Sequence, residues 1–287
     1  MKDFVFDYDT AFSRNIGWVT ATEQIRLKHA RVAIAGLGGV GGIHLLTLAR
    51  LGVGAFHLAE FDDFDLPNFN RQAGAFMSTL GRPKLGVMVE MARDINPDLD
   101  VRIFPAGIDA GNVDAFLEDV DVYVDGLDFF AFKARRLVYE RCAALSIPAT
   151  TAAPLGMGAA LMNFLPGRMT FDEYFGLTGE DEQELALRFF VGLAPAVLQR
   201  TYLMDPTRVD MRSHRGPSTP MACQLCAGLV GTEVLKLILH RGRVFSAPWV
   251  LQYDAYRSRL VKSWRPGGYR NPLLRVAAWI ARRKLYG

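Results

Sequence analysis

Short apolar runs alternate with amphipathic stretches through the first half of the chain, the pattern of buried parallel strands joined by helices. Residues 20–29 predict a helix capped by Thr20 or Thr22, with Glu23 in its first turn. The apolar run 32–35 predicts a buried strand, and a helix opens from Ile43. Strands follow at 55–59, 101–104, 121–125 and 147–151. Helices are predicted at 85–95, 112–118 and 129–145, the last capped by Asp128. This alternation stops near Gly156. Beyond it the pattern predicts a strand at 159–164, a helix among the breakers of 185–220, a long helix from Cys223 to His240 and a strand at 249–254. Asn271 and Pro272 form a cap and first turn for a helix running to Tyr286. The fold class expected is α/β: a Rossmann-like, mostly parallel sheet with helices on both faces and a C-terminal mixed α/β extension.

Between the first strand and its helix lie Gly36, Gly38 and Gly41 at G-x-G-x-x-G spacing, with Gly39 among them. Strand, glycine turn and helix start set a phosphate against backbone N–H groups and a positive helix end. A glycine-rich packing turn is the plain alternative. The second strand ends at Glu60, about 20 positions on, where an acidic residue catches a ribose hydroxyl, with Asp62 as second candidate. That much suits NAD and ATP equally. Residues 62–72 are polar and irregular and end in Arg71, and Lys84 follows Gly81, Arg82 and Pro83. An Arg and a Lys beside the phosphates favour a triphosphate, because nucleotidyl transfer builds charge on the α-phosphate and on departing pyrophosphate. Asp128, past the end of the fourth strand, is placed to meet Mg²⁺ held by phosphates; Asp125 competes for that role.

Composition narrows the class. The chain has 287 residues, half of them hydrophobic and 22% charged, which is globular rather than disordered. The longest apolar stretches are read as broken by Gly, Pro or charge well short of a membrane span, so no transmembrane helix is expected, and the acidic N-terminus lacks a signal-peptide core. Three cysteines argue against a disulfide framework and fit a reducing, cytoplasmic setting. Cys223 and Cys226 form a lone C-x-x-C pair, read as buried small residues near a helix start, with a reactive thiol as the alternative. Nine of the 33 basic residues lie beyond Asp254, where no acidic residue occurs, leaving 24 basic against 30 acidic residues before it. A basic tail on an acidic body suggests a partner of its own: an anionic membrane surface, RNA or the dimer mate. The helical projection places Arg275, Trp279, Arg282, Arg283 and Tyr286 on one tail face. It places Leu273, Leu274, Val276, Ala277, Ile280 and Ala281 on the other. Packing of that apolar face on the body is the alternative to an outside partner.

Taken in order, Arg14-Asn15, the glycine turn 36–42, Glu60-Phe61-Asp62, Asn68-Phe69-Asn70-Arg71-Gln72, Gly81 to Lys84 and Asp125 to Asp128 resemble the ThiF/MoeB/HesA family. This is the superfamily of ubiquitin-activating-type adenylyltransferases. The segments 231–236 and 252–255 match as well, so the resemblance spans roughly residues 10–260. It implies a homodimeric enzyme that binds MgATP and adenylates a carboxylate. The carboxylate would be the C-terminus of a small ubiquitin-like or sulfur-carrier protein, or a peptide. By position it implies Glu60 at the ribose, Arg71 and Lys84 at the phosphates, Asn68 and Gln72 ordering the phosphate side, and Asp128 at Mg²⁺. Arg14 would be an arginine finger, often supplied by the other protomer. The family's usual Asp is Glu60 here. The paired C-x-x-C motifs that hold zinc in MoeB-like members are absent, and no cysteine lies between Cys142 and Cys223. No zinc and no enzyme thioester are therefore expected. Phe129 stands where an Asn is common.

The corresponding parts are a helical segment at 1–30, an ATP-binding core at 31–155, a substrate crossover at 156–256 completing the same domain, and the basic tail at 257–287. Three other readings stay open: an NAD(P) or flavin oxidoreductase on the same turn, a tRNA-modifying ATP-dependent dehydratase of the same superfamily, and a non-catalytic partner-binding module.

Overall fold

The computed structural model describes residues 5–179, 181–210 and 216–285. Helices α1 (Tyr8–Ala11) and α2 (Ala21–His29) precede strand β1 (Arg31–Ala35). Thr20 caps α2, its hydroxyl accepting the Glu23 N–H while Glu23 returns a carboxylate to the Thr20 N–H. The alternation then runs α3 (Gly41–Leu51), β2 (Ala55–Ala59), α4 (Lys84–Ile95), β3 (Asp100–Phe104), α5 (Val113–Leu117), β4 (Val122–Asp125), α6 (Phe132–Ala144) and β5 (Ala149–Leu155). The remaining elements are β6 (Gly158–Phe164), α7 (Phe171–Phe175), α8 (Glu182–Leu193), α9 (Pro220–Leu239), β7 (Trp249–Asp254), β8 (Arg259–Trp264) and α10 (Pro272–Leu285).

All eight strands form one sheet in the order β3-β2-β1-β4-β5-β6-β7-β8. The first five pair in parallel; β5-β6, β6-β7 and β7-β8 are antiparallel. The fold is thus the expected mostly parallel α/β sheet, with its extension continuous with the core sheet. Two apolar layers cover its faces. One joins α3, α4 and α9 around Ile34, Leu45, Met88 and Val230. The other joins α5, α6, α7, α8 and α10 around Phe116, Tyr139, Phe171 and Phe189. Both sides of the central parallel strands β1, β2 and β4 are therefore dry, which is why they read as apolar runs, whereas the edge strand β3 is mostly exposed.

Three sequence expectations change. Strand β5 extends to Leu155, because it closes a hairpin with β6 in which Leu155 faces Gly158. Helix α9 has 20 residues and is long and apolar enough to cross a membrane, contrary to the reading that no stretch reaches that length. Here it packs against α3, β5 and β6. The edge strand β8 has no counterpart in the sequence reading. Its burial is mostly exposed, so it lacks the apolar run that marks the central strands.

The tail helix α10 forms as predicted, with Asn271 Oδ1 accepting the Leu273 N–H. Its buried stripe differs from the projection. Leu274 is buried and Ala277, Ala278 and Ala281 pack on the core, while Leu273, Val276 and Ile280 stay exposed. Arg282 reaches Glu184 of α8 at 2.5 Å. Small residues let α10 lie close to α8, and that decides which stripe is covered. Tyr286 lies outside the described residues.

Candidate functional site

The strand order reverses between β1 and β4, and open α/β sheets place ligands in the crevice beyond the strand ends at such a point. The glycine turn lies there. Gly36 has φ +82°, and a Cβ on it would come within 2.3 Å of the Gly126 carbonyl oxygen. A Cβ on Gly41 would meet the Gly36 oxygen at 1.7 Å, and one on Gly126 would meet Gly41 Cα at 2.8 Å. These three glycines let the turn, the start of α3 and the loop after β4 touch. Gly126 was not singled out from the sequence; a glycine directly after a buried strand was the available signal.

Gly38 differs: a Cβ there would contact only Gln72, at 3.6 Å. Packing does not require this glycine. The N–H groups of Gly38, Gly39, Val40 and Gly41 have no acceptor among the described residues. They are the orphan donors of a helix start, suited to an anion.

Around this turn the structure gathers most of the sequence candidates. Glu60 is 8% exposed. Its Oε2 accepts the Leu37 N–H at 2.8 Å, and Oε1 accepts those of Phe61 and Asp62 at 2.8 and 3.0 Å. The carboxylate thus braces the glycine turn against the end of β2. The Lys84 side chain is buried and its Nζ lies 3.1 Å from Asp62 Oδ2, whose carboxylate is half exposed. Arg71 lies over Gly39, where a Cβ would sit 3.4 Å from its Nε and 3.3 Å from Cys223 Sγ. Its guanidinium also donates to the Pro67 carbonyl and to Asn70 Oδ1. Gln72 is buried beside Gly38 with Oε1 lacking a partner. Asn68 Oδ1 accepts the Asp65 N–H and shapes the loop that carries Arg71.

Cys223 and Cys226 are buried free thiols, as the sequence suggested. Burial raises the Cys223 pKa, with Arg71 pulling the other way. The meeting of Cys223 and Arg71 at Gly39 had no sequence signal, since it brings together residues far apart along the chain. Asn70 reinforces it by donating to the Ser218 carbonyl just before α9.

Asp128 is exposed at the mouth of the loop after β4, its Oδ2 accepting the Phe130 N–H at 3.0 Å. It closes that turn and does not cap α6, which starts three residues later than expected with Ala131 before it. Asp125, the competitor for Mg²⁺, is buried and paired with Arg135 Nε at 2.8 Å. That engagement removes it from the crevice.

Arg14 is not brought to this group. It lies in the turn Ser13–Asn15, and Asn15 donates to the Leu51 carbonyl at the far end of α3. An 11-residue helix places that end roughly 16 Å from the glycine turn.

A cleft of about 500 Å³ opens beside Glu60 and Asp62, bordered by Phe61, Pro83, Val89 and Ile103. A larger groove of about 750 Å³ runs between α8 and α10. Of the polar groups described around the glycine turn, Glu60 and Asp62 line the smaller cleft and none lines the larger groove, so chemistry and not volume locates the site.

A family model described as the ThiF family matches residues 12–276. The chain belongs to the ThiF family. Among its relatives is the tRNA threonylcarbamoyladenosine dehydratase of Bacillus subtilis (strain 168). It is 34% identical over 150 residues, which is 52% of this chain and 57% of the relative. The sulfur carrier protein ThiS adenylyltransferase of Escherichia coli (strain K12) is 33% identical over 143 residues, 50% of this chain and 56% of the relative. The chain thus matches a little over half the length of these curated relatives. The fold is similar to that of E. coli MccB solved with ATP (TM-score 0.66, 18% identity, 92% of this chain and 73% of that one). It is also similar to the microcin C7 biosynthetic enzyme MccB in complex with N-formylated MccA (TM-score 0.67, 17% identity, 94% and 77%). This ThiF-family chain therefore shares the sheet architecture of these solved structures.

Proposed function

We propose that the protein is an ATP-dependent adenylyltransferase that activates a carboxylate as an acyl-adenylate and releases pyrophosphate. The observation that carries this reading is the row of N–H groups at Gly38 to Gly41 with no acceptor among the described residues, flanked by Arg71, with the buried Lys84 paired to Asp62 just past the end of β2. A dinucleotide site rarely needs an Arg and a Lys beside its phosphates, whereas pyrophosphate departure does.

In this reading the turn N–H groups and the start of α3 bind phosphate oxygens. Arg71 and Lys84 neutralise charge that develops on the α-phosphate and the leaving pyrophosphate. Glu60 holds the turn in register and meets the ribose with its remaining accepting capacity, beside Asp62. The base enters the cleft bordered by Phe61. Gln72 offers its buried Oε1 or, flipped, its amide donors to the phosphate side. Asp128 would offer one carboxylate to Mg²⁺ brought with the nucleotide, which would suffice for an ion that keeps water and phosphate ligands. The substrate carboxylate is itself the nucleophile, so the protein works by positioning and charge neutralisation.

Arg14 enters from a second copy, since its own protomer holds it at the far end of α3. The substrate is the C-terminus of a small carrier protein or a peptide. This is supported by the relative named as a ThiS adenylyltransferase. A second reading has equal standing: the same adenylation directed at a tRNA-linked carboxylate, supported by the relative named as a tRNA dehydratase. The nine basic residues beyond Asp254 suit such a polyanion.

The test is ATP–pyrophosphate exchange with Mg²⁺, run separately with carrier proteins or peptides and with tRNA. Exchange that requires Arg71 and Lys84 supports the reading, and the substrate that stimulates it chooses between the two branches. Thermal stabilisation by NAD(H) but not by ATP would overturn it.

A further inference from the structure

The loop between β4 and α6 is held by one side chain. Arg135, 2% exposed, donates through Nη2 to the carbonyls of Leu127 and Asp128 at 2.8 and 2.9 Å, and through Nη1 to that of Phe129 at 3.1 Å. Its Nε donates to Asp125 Oδ2 at 2.8 Å, and Asp125 Oδ1 accepts the Leu127 N–H at 3.1 Å. Three successive carbonyls and a carboxylate thus converge on one planar group. The ring of Phe189 on α8 lies 4.7 Å from the guanidinium carbon and 5.1 Å from the ring of Phe129. The cation is therefore enclosed by the loop and by α8. Asp128, in the middle of this loop, is its one exposed carboxylate.

A buried cation that served only to neutralise Asp125 would need no carbonyls. Here most of its donors are spent on the backbone that carries Asp128. A lysine could answer Asp125, but its three donors radiate from a single atom and cannot span residues 127 to 129.

We propose that Arg135 is a positioning residue that fixes residues 127–129 so that Asp128 stays at the lip of the crevice beside the glycine turn, with Phe189 as its backstop from α8. The proposal rests on the MgATP reading given above. It adds a residue from outside the crevice and ties α8 to the alignment of the metal-facing loop.

The experiment compares the full-length protein with Arg135→Lys, Phe189→Leu and Asp128→Asn. Binding of a fluorescent ATP analogue is titrated with Mg²⁺, and amide exchange of residues 126–130 is followed without ligand. Arg135→Lys is expected to need about tenfold more Mg²⁺ for half-maximal binding, the scale seen when a residue supporting a metal ligand is removed. Nucleotide binding without Mg²⁺ should be unchanged, and residues 126–130 should exchange faster. Phe189→Leu keeps the apolar filling, so it serves if the lysine variant fails to fold, and should shift the same midpoint about threefold. Wild-type Mg²⁺ midpoints in both variants, with any loss of activity following loss of melting temperature, would show that Arg135 is structural only and overturn the proposal. An Asp128→Asn protein with a wild-type midpoint, or a wild-type protein that binds no MgATP, would overturn the underlying reading and the proposal with it.

Discussion

Glu60 accepts the backbone N–H of Leu37 at 2.8 Å, so the acid that ends β2 builds the glycine turn that ends β1. The same carboxylate takes two further N–H groups, from Phe61 and Asp62. Replacing it with alanine orphans the buried Leu37 N–H and two part-buried donors. Glu60→Ala is expected to lose about 2 kcal/mol or more of stability, since each unsatisfied buried group costs about 1–3 kcal/mol. Glu60→Gln should lose less, because its amide oxygen still accepts. Urea unfolding of the two variants checks this ordering; equal losses would refute it.

Two glycines of the turn should respond in opposite ways to one methyl group. Gly41→Ala places a Cβ 1.7 Å from the Gly36 oxygen, so the backbone must move and the protein should be strongly destabilised. Gly38→Ala meets nothing closer than 3.6 Å. It should fold with stability within about 0.5 kcal/mol of wild type, yet bind ATP at least tenfold more weakly if phosphates approach that backbone. Melting curves and calorimetric titration with ATP separate the two effects.

Lys84 is buried while its partner Asp62 is half exposed, so the pair is arranged to give the cation up to a ligand. Lys84→Met is expected to keep the fold and to lower pyrophosphate exchange by about 100-fold, the scale of one lost oxyanion donor. Retention of full exchange activity with a normal circular dichroism spectrum would remove Lys84 from the chemistry.

Arg14 and Lys84 should complement in trans. If each site takes its arginine from the partner copy, Arg14→Ala and Lys84→Met proteins are separately inactive. After mixing and reassortment, half the dimers are mixed and each has one intact site. About a quarter of wild-type exchange activity should return. A mixture as inactive as its components would show that Arg14 is not supplied by the partner copy, and an active Arg14→Ala protein would place Arg14 outside the reaction.

His44, on α3, is fully buried with neither ring nitrogen partnered, and burial lowers its pKa to about 3. The folded protein therefore binds its proton less readily than the unfolded chain, whose pKa is about 6.5. The stability due to neutral His44 is complete above about pH 6.5 and is lost as pH falls towards the folded value. From pH 6.5 to 4.5 this one group should remove about 2 kcal/mol. Urea midpoints of wild type and His44→Leu, measured at both pH values, should differ in slope by that amount. Parallel slopes would mean that the ring gains a partner on protonation.

The chain order of apolar runs and amphipathic stretches was enough to place the parallel strands and the helices between them. A strand buried on both faces and a helix buried on one stripe write their periods directly into the sequence. Short-range spacing also marked the glycine turn, the Thr20 cap and the charged positions Glu60, Arg71, Lys84 and Asp128. Contacts between distant residues left no such trace. The approach of Gly126 to Gly36, the approach of Cys223 and Arg71 to Gly39, and the stacking of Arg135 on Phe189 depend on how the sheet is ordered. So does the pairing of β8, whose exposed residues carry no apolar run. The stripe of α10 that is buried follows from the closeness of α8, not from the hydrophobic projection alone. The sequence by itself determined which elements form and which side chains carry charge, because those are properties of neighbouring residues. Only the tertiary structure decided which charges share a crevice and which, like Asp125 and Arg14, are drawn away from it, because that is set by the crossovers that bring distant strand ends together.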